Sequence, residues 1–174
     1  MSIILKEVEG IEVEELFPLL LLAEPSKSAL LWSLSNLTDA IYRAEEGGQV
    51  VGAVTMRWNS EPCEIVELAV AEHRQGRGLG RQIVGSVFTE ARHRGKQKMI
   101  VGTGNSSIGN IIFYQRCGFR MDHVRRDYFW YHRTPEFENG IRLRDMIVFS
   151  YDIAEDATSP QPPADVCIIA RETQ

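Results

Sequence analysis

Residues 63–94, "CEIVELAVAEHRQGRGLGRQIVGSVFTEARHR", change hydrophobic period partway through. Up to Val70 the run is short, apolar and β-branched, as a strand is. From Leu79 onward, Leu79, Ile83, Val84, Val87, Phe88 and Ala91 recur at the spacing of one helix face, with Arg81, Gln82, Glu90 and Arg92 between them. A chain that passes from strand to amphipathic helix over so few residues is committed to a layered α/β packing. The junction itself holds Gly76, Gly78 and Gly80 together with Arg74, Arg77 and Arg81, and residues 74–81 contain no acid. A helix N-terminus leaves backbone N–H groups unpaired and carries partial positive charge. Glycines let a ligand approach that backbone, and arginines pair with phosphate oxygens. The junction therefore reads as a phosphate cradle. The plainer alternative is a tight turn with solvated arginines, which leaves three clustered cations unexplained. No G-x-x-x-x-G-K-[ST] string is present, and G-x-G-x-G is the wrong spacing for a dinucleotide fingerprint. The segments before it also read as hairpins rather than as part of a parallel unit.

Around this junction the chain alternates elements. "SIILKEV" reads as a first strand, and "IEVEELFPLL" and "SKSALLWSLSNL" as two short helices that Pro18 and Pro25 break, with Ser26 as an N-cap. "DAIYRAEE" and "QVVGAVTMRW" flank a Gly47-Gly48 turn as a hairpin, and "CEIVELAV" is the next strand. Gly95 is a natural end to the long helix. "KMIVGTG" reads as a buried strand. "SSIGNIIFYQRCGF" reads as a helix with Ile108, Ile111, Ile112 and Tyr114 or Gln115 inward, ended by Gly118. "FRMDHVRRDYFWYH" is a strand and loop, and "RLRDMIVFSYDI" a last strand. The expectation is an α/β fold, one mixed sheet of about six or seven strands with about four helices. Residues 1–154 form one domain and 155–174 a Pro- and acid-containing linker ending in the apolar "VCIIA".

Composition excludes several classes. A formal charge of −5 argues against a general nucleic-acid binder. "LFPLLLLA" is too short to span a bilayer, and "MSIILKEVEG" has neither a basic n-region nor a small-residue cleavage site. Three widely spaced cysteines, Cys63, Cys117 and Cys167, suit neither a disulfide framework nor a metal site. The expectation is a cytoplasmic protein with no metal, no nucleic-acid partner and no membrane partner.

"LAVAEHRQGRGLGRQIV", with Q-x-x-G-x-G at Gln75–Gly80, resembles the acetyl-CoA loop of the GNAT N-acetyltransferases, and "NIIFYQRCGFR" resembles that family's second signature. The two stand in the family's order, and the resemblance spans roughly residues 1–152. It implies a GNAT-like sheet whose middle strands splay apart to hold pantetheine. By that resemblance the backbone of Leu68, Ala69 and Val70 meets the pantetheine amides. Gln75, Gly76, Arg77, Gly78, Leu79, Gly80 and Arg81 surround the pyrophosphate, and Asn105, Ser107 and Asn110 touch the co-substrate acetyl-CoA. Many family members carry Asn where Ser107 stands, so either Asn105 or Ser107 could equally be a helix cap. Tyr114 matches the family tyrosine beside the departing sulfur, although a tyrosine on an apolar helix ordinarily just packs. Glu64 and Glu67 are candidates for the general base, each weighed against being a solvated strand glutamate. Being three apart, they face opposite ways on a regular strand unless a bulge intervenes.

The resemblance implies transfer of an acetyl group to a primary amine of a small molecule or peptide, by direct attack in a ternary complex. A non-catalytic acyl-CoA-binding or sensing module is the alternative, and Tyr114 favours the enzyme. The acidic balance mildly favours a cationic acceptor. A homodimer is expected from the frequency of such assemblies, with the tail as one means of docking.

Overall fold

Strand β1, Ile4–Glu7, is followed by helix α1, Ile11–Ala23, and helix α2, Lys27–Asn36, in this computed structural model, which describes residues 3–132 and 134–154. The Ser26 hydroxyl accepts the Ala29 N–H at 3.3 Å, the expected cap of α2. Pro18 does not end α1, as the sequence reading had it; the helix runs through it. A proline removes one N–H from the helix ladder, and here Leu16 and Leu20, both buried under the sheet, hold the two sides of the gap in register.

The next strands are β2, Ala40–Glu46, β3, Gln49–Arg57, and β4, Cys63–Val70. Helix α3, Leu79–His93, leads to β5, Lys98–Gly104, and helix α4, Ile108–Arg116, to β6, Arg120–Arg125. A two-residue-per-arm hairpin, β7 (Phe137–Glu138) and β8 (Ile141–Arg142), precedes β9, Met146–Asp152. Seven strands form one sheet in the order β1-β2-β3-β4-β5-β9-β6. The strands before the glycine loop pair as antiparallel hairpins, as expected, whereas β4 and β5 are parallel and joined through α3, which makes the sheet mixed. The tail 155–174, including Cys167 and "VCIIA", lies outside the described residues.

Two apolar layers enclose the sheet. Leu79, Ile83, Val84 and Val87 of α3 and Tyr114 of α4 pack on one face with Val54, Met56 and Ile65. Leu16, Leu20 and Leu30 of α1 and α2 pack on the other, against Ala53. Gly95, at φ 68°, ends α3 as expected, with its N–H on the Arg92 carbonyl and that of Lys96 on Ala91. In α4 the inward set is smaller than the periodicity suggests. Tyr114 is buried and Ile111 partly so, whereas Ile108 and Ile112 are exposed, because the helix lies against the sheet along a narrow strip.

The irregularity that matters most is in β4. Thr55 of β3 pairs with Glu67 but Met56 pairs with Ile65, so Val66 is an inserted residue. Before it, Cys63 and Ile65 face the α3 layer; after it, Leu68 and Val70 do. Glu64 and Glu67 consequently share the opposite face. The bulge leaves the Glu67 N–H without its ladder partner, and the buried Thr55 hydroxyl accepts it at 3.0 Å. Thr55→Val keeps the shape and orphans that N–H; it should cost about 1–3 kcal/mol, read as a lower denaturant midpoint at unchanged slope.

Candidate functional site

The same bulge opens the site. β4 and β5 pair only at Cys63–Met99, Glu64–Ile100 and Ile65–Val101. Beyond Ile65 the two strands continue without a ladder between them, because the inserted residue turns β4 away. The Ala71 N–H donates to the Val51 carbonyl, and Glu67 turns its N–H to Thr55, both on the β3 side. Alternation along the strand then directs the peptide groups of Leu68 and Val70 into the gap, whereas Ala69 turns its own toward β3. The gap is the floor of a cleft of about 1760 Å³, more than the roughly 300–1,000 Å³ that holds one drug-sized ligand.

One end of the cleft is the N-terminus of α3. Gly76 and Gly78 lie at φ 73° and 75°, and nothing stands within 4 Å of where a Cβ would be on either. Gly78 caps the helix in a left-handed conformation with no side-chain cap, which leaves the first-turn N–H groups facing the cleft. Gly80 is set apart by its packing: a Cβ there would stand 3.2 Å from the Phe113 ring, a close contact. Leu79 is core, so only its backbone is available. Arg81 lines the cleft and Arg116 joins it from α4, a cation that the sequence reading did not single out. Arg77 is exposed and is not part of the wall. Arg74 lines it but is also tied to the β2–β3 hairpin, bonded to Gln49 and 3.8 Å from Glu46. The Gln75 amide donates to the Val70 carbonyl at 3.0 Å and so fixes the loop to the strand end.

The other end is acidic and aromatic. Glu64 and Glu67 both line the cleft, joined by Glu24 from the end of α1 and by Tyr128 and Tyr131 from the segment after β6. The Ser33 hydroxyl of α2 donates to Glu67 Oε1 at 3.1 Å. Burial, reinforced by the negative charge of Glu24, pushes the Glu67 carboxyl up to about 8, with Ser33 opposing the shift. Burial also raises Glu64, against the pull of Arg125 and Arg57. Glu67 is therefore a carboxylate that exchanges a proton near neutrality, as a general base requires. Between the two ends stands Tyr114, 7% exposed, ringed by Phe113, Phe119 and Phe149. Burial, then the Glu67 charge, raises its hydroxyl well above the usual phenol range, so it stays protonated.

Ser107 and Asn110 line the cleft, with the Asn110 amide on Thr103 Oγ1 at 3.3 Å. Asn105 does not line it. Its amide donates to the Arg142 carbonyl at 2.9 Å, and its oxygen accepts the N–H groups of Arg144 and Asp145. The Ser107 hydroxyl accepts no capping N–H from α4 and instead donates to Glu138 Oε2 at 2.6 Å. Asn105 and Ser107 thus staple the β7–β8 hairpin and the approach to β9 to the start of α4. Ser33 and Glu24 had no sequence signal, since Ser33 meets Glu67 across 34 positions. The run "YFWYH" did offer one, as a dense aromatic cluster. Among the described residues, no group of three or more His, Cys, Asp and Glu is arranged to hold a metal, and no helix is long and apolar enough to cross a membrane.

Comparison with known proteins gives a consistent result. The model of the acetyltransferase (GNAT) family matches residues 8–119. An uncharacterized N-acetyltransferase of Bacillus subtilis, YvbK, is 38% identical over 142 residues, 80% of this chain and 90% of that protein. A GNAT family acetyltransferase from Elizabethkingia anophelis, solved with acetyl-CoA bound, superposes with a TM-score of 0.75 at 33% identity, covering 87% of this chain and 98% of the other. A Bacillus subtilis acetyltransferase in complex with CoA superposes at 0.74 and 37% identity, covering 87% and 97%.

Proposed function

Because the chain belongs to the acetyltransferase (GNAT) family, we propose that it transfers an acetyl group from acetyl-CoA to a primary amine on a small cationic molecule or peptide. The observation that carries this reading is the cleft itself, with bare helix-terminal N–H groups and arginines at one end, a stretch of β4 that has left its ladder with β5 along the floor, and a proton-accepting carboxylate at the other. The residues suit that co-substrate. The open space at Gly76 and Gly78 and the cations Arg81 and Arg116 suit a pyrophosphate, and the amide groups of Leu68 and Val70 suit an extended amide arm. When bound, acetyl-CoA supplies an acetyl thioester.

The protein's own groups do the rest. The acidic and aromatic end, with Glu24, Tyr128 and Tyr131, favours an acceptor that arrives as a cation. Glu67 takes the proton that the amine must lose before it attacks. Glu64 shares that face with Glu67, but Arg57 lies 3.8 Å from its carboxylate, so it is the weaker candidate for the same role. The Leu68 and Val70 N–H groups, turned into the gap beside β5, would serve as donors to an acyl oxygen as it gains negative charge. Tyr114, protonated at all working pH values, holds the proton for the leaving sulfur. Holding donor and acceptor in one cleft supplies the remainder of the acceleration. Tyr114→Phe should lower kcat by about tenfold or more, without weakening acetyl-CoA binding, because only the proton donor is lost.

The test is calorimetric titration with acetyl-CoA, followed by thiol release with a panel of mono- and polyamines, amino acids and peptides. Binding with amine-dependent thiol release is the expected result. Binding with no release for any amine would turn the assignment into an acyl-CoA-binding module, and no binding would overturn both.

A further inference from the structure

Ser33 is one of two buried residues on α2, and the other, Leu30, already fills the apolar layer beneath it. A serine hydroxyl at 7% exposure needs a partner, and it has one in the sheet rather than on its own helix: Glu67 Oε1, at 3.1 Å. The Glu67 peptide N–H is held independently by Thr55 at 3.0 Å. Backbone and carboxylate are thus fixed from two different elements, and the Val66 bulge aims the side chain between them. Glu24 stands at the α1–α2 corner, its carboxylate accepting the Ser26 N–H at 2.9 Å. Glu24 at this corner and Ser33 farther along α2 both line the cleft with Glu67.

We propose that Ser33 is a positioning residue for the Glu67 carboxylate, and that Ser33 within α2 and Glu24 at the α1–α2 corner together govern the proton affinity of that base. The proposal rests on Glu67 being the base of the acetyl transfer. The physical logic is one of opposed effects. A hydroxyl donated to a buried carboxylate stabilises its ionised form, and a neighbouring negative charge destabilises it. The other titratable groups facing Glu67 are Glu64 on the same strand, Tyr114 from α4, and Tyr128 and Tyr131 from the segment after β6. The nearby cations Arg57 and Arg125 act on Glu64. The α1–α2 pair therefore holds one group that favours the charged base, Ser33, and one that opposes it, Glu24, both off the strand that bears the base.

The experiment is a pH titration followed by carboxyl-carbon NMR on protein labelled at the glutamate side-chain carboxyl. The Glu67 signal is identified by its absence from Glu67→Gln, and Ser33→Ala, Ser33→Thr and Glu24→Gln are titrated alongside the wild type. The Glu67 midpoint is expected near 8 in the wild type. It should rise in Ser33→Ala and fall in Glu24→Gln, each by about half a pH unit or more, a roughly threefold change in proton affinity. Ser33→Thr, which keeps the hydroxyl, should stay near the wild type. A midpoint unmoved in both Ser33→Ala and Glu24→Gln overturns the proposal, and so do shifts of the same sign, which mere loosening of the corner would produce. Should Ser33→Ala fail to fold, Glu24→Gln at its partly buried corner still decides the sign of the coupling. The readout needs no turnover. Opposed shifts in a protein that releases no thiol with any amine would leave the coupling standing and remove only its catalytic use.

Discussion

Glu67→Gln is expected to lower kcat/KM for the amine by about 10²–10³-fold near neutral pH while leaving acetyl-CoA affinity essentially unchanged. Glutamine fills the same space and accepts the Ser33 hydroxyl, but it takes no proton. The same substitution should stabilise the protein as pH rises. The Glu67 carboxyl lies near 8 in the folded protein against an ordinary value of 4.5. Between those values the folded state holds a proton that the unfolded chain has released, so folding stability falls as pH climbs through that window and stays lower above it. The glutamine variant has no such loss. Its Tm advantage should therefore be small below about pH 4.5 and greatest above about pH 8. Steady-state kinetics and thermal melts across that range check both halves. Unimpaired turnover would remove Glu67 as the base, and a Tm difference independent of pH would remove the buried charge as the cause. Loss of activity with gain of stability is the signature of a group kept for function.

The second large effect concerns the basic end. Gly78→Asp combined with Arg81→Glu should weaken acetyl-CoA binding by about 100-fold or more, since charge-assisted hydrogen bonds contribute roughly 1.5–3 kcal/mol each and repulsion adds to their loss. Aspartate tolerates the left-handed conformation that Gly78 adopts at φ 75°, ψ 5°, so the fold should survive. Arg77→Glu is the internal control: its side chain is exposed and outside the cleft wall, and its effect on affinity should be under about threefold, falling further with added salt. Calorimetric titration separates the two. Equal losses from Arg77→Glu and from the double variant would mean that binding follows overall loop charge and not the geometry of the α3 terminus.

Much of this was legible in the chain because it rests on local rules. The period change at residues 70–79, the glycines before α3 and the Ser26 cap are signals read within one element. What the sequence did not disclose depends on pairing across elements. Pro18 stays inside a helix because Leu16 and Leu20 are buried on either side of it. Ile108 and Ile112 are exposed because α4 touches the sheet along a strip that periodicity does not define. Asn105 looks like a ligand or cap by position, yet its amide is spent on Arg142, Arg144 and Asp145, some forty residues away. Whether Glu64 and Glu67 share a face turned on a bulge that the sequence left open. The β7–β8 hairpin is the opposite case, a local signal passed over: Asn139 and Gly140, at φ 54° and 73°, make the two-residue turn that an Asn-Gly pair announces.

A β-strand sorts its residues by odd and even, and Val66 changes the parity. Upstream of it, odd-numbered side chains belong to the α3 layer; downstream, even-numbered ones do. Deleting that one residue would do more than shorten a strand. It would restore a regular strand, re-pair it with β5, and exchange the inside and outside of one half of the strand relative to the other. Reading frame, ordinarily a property of the gene, is here a property of the folded surface, and the shared face of Glu64 and Glu67 depends on its being shifted by one.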